Sequence, residues 1–230
     1  MSIEQALQHQ ANPAKAKILS GFFKTGKGEY GEGDHFLGIT VPEQRKIAKQ
    51  YQETTFTELH TLLQNKIHEY RLTALLILTE QYKKADEEQK KKIIDFYCKN
   101  TQSMNNWDLV DATAHQMLGD FLQDKEKTIL YTYATSTNLW ERRISIVSTF
   151  AFIRQKQFQD TIKIAEILLQ DKHDLIHKAV GWMLREVGKK DQKVLEQFLN
   201  KHATIMSRTM LRYAIEKFPQ EKRQFYMKKI

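Results

Sequence analysis

The stretch NNWDLVDATA, residues 105–114, is one of five similar segments in this 230-residue chain. The others are EYRLTALLIL at 69–78, WERRISIVST at 140–149, IHKAVGWMLR at 176–185 and SRTMLRYAIE at 207–216. In each, a basic or aromatic residue precedes apolar and small residues, and the recurrent position is held by Arg71, Trp107, Arg143, Lys178 and Arg212. These five residues are 36, 36, 35 and 34 positions apart. A near-constant period in this range is typical of paired-helix repeats, which bury their apolar faces by stacking on one another.

The rest of the chain also favours helices, because only 9 Gly and 3 Pro interrupt it and no strand pattern is present. Helices are predicted at 2–10, 13–24, 42–51, 55–65, 68–84, 86–99, 106–123, 126–135, 138–155, 159–170, 174–188, 191–202, 206–217 and 219–228. The predicted fold is all-α: an α-solenoid, a right-handed superhelix of HEAT-like repeats with a concave groove. We expect a single domain over 1–230, with N-terminal helices in 1–52 and paired repeats in 53–230.

Several classes of protein are disfavoured by the residues present. The single Cys98 permits neither an internal disulfide nor a cysteine-based zinc cluster, and the eight histidines lack metal-ligand spacing, so we expect no metal. The glycine-rich loop at 25–38 has no preceding strand and no GxxxxGK[ST] pattern, so we expect a mobile connection that touches DNA, and no nucleotide cofactor. The sequence contains no signal peptide and no membrane-spanning run. We therefore expect a cytoplasmic monomer that binds neither a cofactor nor a membrane.

The net charge of +8 is unevenly distributed along the chain. Residues 171–230 carry 14 Lys and Arg against 7 Asp and Glu. Such an excess favours a polyanionic partner, since lysine and arginine that neutralise phosphates release condensed counterions. A solvated basic surface without a partner is the alternative.

The recurrent row indicates where function lies, because equivalent positions of stacked repeats line one face of the array. One turn further along, the equivalent positions are Leu75, Asp111, Val147, Trp182 and Glu216, so Trp107 shares a helix face with Asp111, and Lys178 with Trp182. Both tryptophans are interpreted as functional rather than core residues, and Asp111 is preferred to Asp108. Trp140, Phe150 and Phe152 are expected to be structural.

The chain resembles the AlkD-type DNA alkylation repair proteins, which are HEAT-like repeat DNA glycosylases. The resemblance is carried by ANPAKA at 11–16, HFLGITVPEQRK at 35–46, NNWDLVDATAHQMLGDFL at 105–122, NLWERRISI at 138–146 and HKAVGWMLREVGKK at 177–190. It implies that Asp111 is the catalytic carboxylate, that Trp107 and Trp182 are the groove tryptophans and that Arg143 contacts DNA. Phe22 matches an aromatic position on the second helix where the best-known members have Tyr. Arg71, Lys178 and Arg212 complete the expected DNA-binding set.

The resemblance implies a monofunctional glycosylase that releases N3- and N7-alkylated purines from duplex DNA without a tight base-flipping pocket. The expected partner is double-stranded DNA that is alkylated or distorted. A noncatalytic binder of distorted or branched DNA would use the same groove, and a helical-repeat protein scaffold is a third hypothesis.

Overall fold

The computed structural model describes residues 1–228, and every regular element in that range is helical. The α-helices are α1 Ile3–Gln8, α2 Pro13–Phe22, α3 Val41–Gln50, α4 Phe56–Leu63, α5 His68–Lys84, α6 Glu87–Lys99, α7 Trp107–Asp111, α8 Thr128–Ala134, α9 Leu139–Ser148, α10 Phe150–Arg154, α11 Gln159–Ile167, α12 Asp174–Lys190, α13 Gln192–His202, α14 Arg208–Ala214 and α15 Gln220–Met227. A 3₁₀ turn spans Thr101–Ser103, a π-helical turn spans His115–Gly119, and one isolated bridge joins His35 and Ile67. The predicted all-α class is confirmed. Within residues 1–228, no helix combines the length and apolar character needed to cross a bilayer.

Local side-chain chemistry sets several of the helix starts. Asn12 accepts a hydrogen bond from the Lys15 backbone N–H at 3.0 Å, and Pro13 occupies the first turn of α2, where its missing N–H costs nothing. At α3, the Glu43 carboxylate accepts from both the backbone N–H and the hydroxyl of Thr40. Such caps satisfy backbone donors that the helix itself leaves unpaired, so these boundaries follow from the sequence.

Two predicted long helices are interrupted in the structure. The segment predicted at 106–123 contains only the short helix α7 followed by the π-helical turn, and the segment predicted at 138–155 is divided into α9 and α10 at Thr149. At the first break the Thr113 hydroxyl donates to the Leu109 carbonyl at 2.6 Å, and at the second the Thr149 hydroxyl donates to Ile146 at 2.7 Å. Hydroxyls that bond backbone carbonyls in this way compete with regular helix geometry.

The chain forms two compact units, Met1–Thr113 and the unit that begins at Ala114, here called the first and second units. In the first unit, α5 is the central helix; it packs against α3 and α4 and buries most of its length. In the second unit, α12 is central and packs against α9, α13 and α14. Each unit therefore has its own apolar core, and the predicted single domain over 1–230 stays a prediction.

Candidate functional site

Trp107 begins the short helix α7 in the first unit, and its position is fixed by its neighbour Asn106. The buried Asn106 side chain accepts a hydrogen bond from the Trp107 backbone N–H at 2.9 Å and donates one to the Phe23 carbonyl at 3.3 Å. The Trp107 indole is half-buried and stacks on Phe23, with ring centroids 5.2 Å apart. Phe22, whose side chain is 60% exposed, meets the indole edge-on at 5.8 Å. The structure thus brings together two predicted site residues, Trp107 and Phe22.

Two more rings extend this group into what we call the first aromatic cluster: Phe22, Phe23, Phe36, His68 and Trp107. The centroid of Phe23 lies 5.2 Å from that of Phe36 and 5.0 Å from that of His68, both in stacked orientation. Phe36 and His68 also stack, at 4.6 Å. The cluster lines a cavity of about 350 Å³ with mainly apolar walls.

A charged network lies beside the first aromatic cluster. The Nε2 atom of His68 is 2.8 Å from the Asp108 carboxylate, and its Nδ1 atom is 3.3 Å from that of Asp34. Arg71 donates to Asp34 at 2.6 Å and to the Asn105 side-chain oxygen at 2.8 Å, and Asn105 in turn donates to Asp34 at 2.7 Å. The network connects the glycine-rich loop, α5 and the start of α7.

The charges of this network perturb each other's titration. Burial would lower the pKa of His68, but the charge and hydrogen bonds of Asp108 and Asp34 outweigh it and raise the pKa to about 9. Burial would raise the pKa of Asp34, yet its hydrogen bonds to His68 and Asn105 and the charge of Arg71 hold that pKa below its usual value. His68 is therefore an imidazolium at neutral pH.

The network corrects two expectations from the sequence. Arg71, predicted to contact DNA from an exposed row, is only 6% exposed, and its guanidinium is bound to Asp34, Asn105 and the Asn65 carbonyl. The second half of the glycine-rich loop is an anchored element rather than a mobile connection, because Asp34 is buried and the Glu69 carboxylate accepts the backbone N–H groups of residues 37–39.

The two aspartates of α7 have different surroundings. Asp108 is buried and holds His68, and its other oxygen accepts the Leu109 backbone N–H at 2.9 Å. Asp111 is the last residue of α7 and is half-buried. Burial of the Tyr97 phenol is the main reason that its pKa is raised, and the negative charge of Asp111 raises that pKa further. Asp108 thus serves a structural contact with His68, and Asp111, one turn after Trp107, is the less buried of the two.

The second unit holds its own aromatic group, the second aromatic cluster: His115, Phe150 and Trp182, with Arg154 beside it. The half-buried Trp182 ring on α12 lies 6.0 Å from that of Phe150, and Phe150 lies 5.3 Å from His115. The Arg154 guanidinium is 5.8 Å from the Phe150 ring centroid. Burial, aided by the charge of Arg154, lowers the pKa of His115 to about 4, so this imidazole is neutral.

The predicted cations of the second unit differ in exposure. Arg143 is only 5% exposed, and it donates to the Leu175 carbonyl at the start of α12. Lys178 is half-buried and pairs with Asp174 at 2.7 Å, and Arg212 on α14 is exposed. The expectation of a uniformly exposed basic row is therefore wrong for Arg143 as well as for Arg71, although the DNA contact of Arg143 stays a prediction.

The row one turn further on is likewise mixed. Leu75 and Val147 are fully buried core residues, whereas Asp111 and Trp182 are half-buried and Glu216 is exposed. Trp140 and Phe152 are buried as expected, but Phe150 is half-buried beside Trp182. Sequence reasoning therefore missed Phe150. It also missed Phe23, Phe36 and His68. The FF segment at 22–23 and the DHF segment at 34–36 were available signals for the two phenylalanines.

Comparison with known proteins identifies the family and the fold of the chain. A protein-family model described as DNA alkylation repair enzyme matches residues 3–218, whereas no curated protein matches significantly. A solved structure described as a predicted DNA alkylation repair enzyme from Enterococcus faecalis is similar, with a TM-score of 0.72 and 20% identity over 92% of this chain and 98% of that one. AlkD2 from Streptococcus mutans is similar with a TM-score of 0.60 and 17% identity, over 95% of this chain and 100% of that one. These structures share the fold, and the family match over nearly the whole length shows that the chain belongs to the DNA alkylation repair enzyme family.

Proposed function

We propose that the protein is a monofunctional DNA glycosylase that hydrolyses the N-glycosidic bond of N3- and N7-alkylated purines in duplex DNA. Family membership supports the broader part of this statement, a role in DNA alkylation repair with DNA as the partner. The observation that carries the finer part is the pairing, on one short helix, of the half-buried indole of Trp107 with the half-buried carboxylate of Asp111.

The reaction depends on an ionised carboxylate that stabilises positive charge, rather than on a general acid that protonates the leaving base. Alkylation at N3 or N7 makes the purine cationic, so the base leaves with the bonding electrons and becomes neutral without prior protonation. The sugar then carries positive charge, and an ionised Asp111 would stabilise that oxocarbenium-like species. Water adds its oxygen to the anomeric carbon and gives up a proton, which leaves an abasic site.

The tryptophans and the cations of the second unit would complete the recognition of damaged DNA. Indole faces attract cations, so Trp107 would favour an electron-poor, alkylated nucleotide over an undamaged one. The resemblance assigns the same role to Trp182 in the second unit. Lys178 and Arg212, with Arg143, would hold phosphates, and the exposed ring of Phe22 would contact the backbone. Asp111 does not line the 350 Å³ cavity, so the proposed reaction needs no enclosed base pocket.

The test is release of 7-methylguanine and 3-methyladenine from methylated duplex DNA. Asp111→Asn should slow release by about 10²- to 10³-fold while DNA affinity is kept, because the substitution removes the negative charge that stabilises the positively charged transition state. Asp95→Asn, which alters an exposed carboxylate of α6, is the matched control and should leave the rate unchanged.

Absence of release above the uncatalysed rate by the wild type would overturn the glycosylase proposal. If binding to branched or bulged DNA were then tight and sensitive to salt, the protein would instead be a noncatalytic sensor of distorted DNA.

A further inference from the structure

The cavity beside Trp107 is not used by the proposed chemistry, although Phe22 and Trp107, which the proposed function assigns to DNA recognition, both line it. Aromatic rings and aliphatic side chains surround it, including Leu19, Phe22, Phe36 and Trp107. Its volume of about 350 Å³ is at the lower end of small-ligand sites, which are roughly 300 to 1,000 Å³. That size suits one planar ring system better than a base pair.

Helix α2, which forms one wall of the cavity, keeps large apolar side chains in contact with solvent. None of its ten residues is buried, and Ile18 and Phe22, one turn apart, are 70% and 60% exposed. Exposed apolar side chains that border a cavity are typical of a binding site. An incoming ring could therefore enter beside Phe22 and stack within the first aromatic cluster.

The charge around the entrance specifies the kind of molecule that carries the ring. Residues 13–28, which include α2, contain four lysines at 15, 17, 24 and 27 and no acidic residue. Lys15 lines the cavity and is exposed. The acidic groups in the wall are committed elsewhere: Glu69 accepts backbone N–H groups of the loop, and Asp108 holds His68. The Lys24 ammonium lies 3.9 Å from the Glu29 carboxylate, so Lys15 is the cation that the cavity itself offers. The site thus combines aromatic walls with a lysine at the rim, and proteins hold unpaired bases of a nucleic-acid strand with such a combination of rings and cations.

We infer that this cavity binds one unpaired nucleobase of a DNA strand, stacked against Phe22 and Trp107, with a flanking phosphate on Lys15. This inference rests on the proposed function for its DNA partner and adds a second mode of recognition, a base reader separate from Asp111. It gives the protein a means to distinguish a distorted duplex from a fully paired one.

The experiment compares binding of two duplexes, one fully paired and one with a single bulged 2-aminopurine, whose fluorescence falls when it stacks on an aromatic ring. The wild type should bind the bulged duplex about tenfold more tightly, with quenching. Phe22→Ala should remove most of that preference, because affinity for the bulged duplex should fall much further than any loss of the Phe22 backbone contact lowers affinity for the paired duplex. Val41→Phe, which adds a ring at the cavity wall, should have the same effect if its thermal unfolding is unchanged.

Phe225→Ala, which removes a 54% exposed ring of the second unit, is the matched control and should keep the preference. The free nucleoside of 2-aminopurine should bind much more weakly than the bulged strand, and equal affinity would overturn the assignment to a strand. A wild type that does not prefer the bulged duplex, or a Phe22→Ala loss shared equally by both duplexes, would overturn the inference.

The outcome is separable from that of the glycosylase proposal. Base release that persists when no bulge preference is found would leave the glycosylase proposal standing and remove this site. A bulge preference without any base release would support this site and overturn the glycosylase proposal.

Discussion

The two aromatic clusters each contain a histidine, and at neutral pH the histidine of the first cluster is cationic whereas that of the second is neutral. His68 lies between the carboxylates of Asp34 and Asp108, and its pKa is raised to about 9. His115 lies among rings near Arg154, and its pKa is lowered to about 4. Burial opposes the charged form of both, so the sign of the nearest charges decides the outcome.

This difference indicates different roles for the two clusters. In the first unit, a histidine that is cationic at neutral pH fixes the glycine-rich loop, α5 and the start of α7 around the rings. In the second unit, the neutral His115 adds little electrostatic constraint, and among residues 1–228 its Nδ1 is one of few buried side-chain polar atoms without a hydrogen-bond partner. We expect the first cluster to be held by charge and the second by apolar packing alone.

The sharpest test of the comparison is His68→Gln, which leaves Asp108 buried without its cation and leaves Asp34 with Arg71 as its remaining cationic partner. Breaking one side of a buried ionic group typically costs about 3 to 5 kcal/mol. Hydrogen exchange followed by mass spectrometry should show that protection falls in the first unit. His9→Gln, at an exposed position, is the control, and equal protection in both variants would contradict a charge-held cluster.

The next largest effect is the pH dependence of the first unit. His68 binds its proton more tightly in the folded protein than in the unfolded chain. Its contribution to the free energy of unfolding is therefore complete below pH 6.5 and is lost as pH rises to about 9. The loss should be about 3 kcal/mol in the free energy of unfolding. Hydrogen exchange across this range should show it in the wild type and not in His68→Gln, and a flat wild-type profile would contradict the assignment.

The second unit should respond to pH in the opposite direction. Because the pKa of His115 is lowered when folded, the unfolded chain binds more protons, and stability should fall as pH drops from 6.5 to about 4. After allowance for the partial exposure of His115, we expect about 2 kcal/mol. His115→Phe should flatten this dependence, and an unchanged slope would show that other groups cause it.

The smallest expected effect concerns the cations of the recurrent row. Arg212→Ala should reduce the slope of log affinity for DNA against log salt by about one and leave stability unchanged, because Arg212 is exposed. Lys91→Ala on α6 is the exposed control outside the row. A slope unchanged in Arg212→Ala would remove Arg212 from the DNA-binding set.

Much of the helix pattern was predictable, since caps such as Asn12 and the Thr40–Glu43 pair are local in sequence. The breaks after Asp111 and at Thr149 were not, because threonine hydroxyls bond the helix backbone there, and a hydroxyl's partner cannot be read from apolar periodicity. Trp107 and Asp111 could be selected from their spacing, because residues four apart on one helix share a face.

The sequence by itself determined the all-helical class, the family and the chemical types available at the recurrent positions. Only the tertiary structure decided which of those side chains face solvent. Arg71 and Lys178 hold the same recurrent position, yet Arg71 is buried and Lys178 is half-buried. Asp34, 37 residues before Arg71, accepts a hydrogen bond from the Arg71 guanidinium in the interior, whereas Lys178 pairs with Asp174 near the surface. The physical reason is that burial of a charge depends on a partner brought close by folding, and no local pattern records that partner.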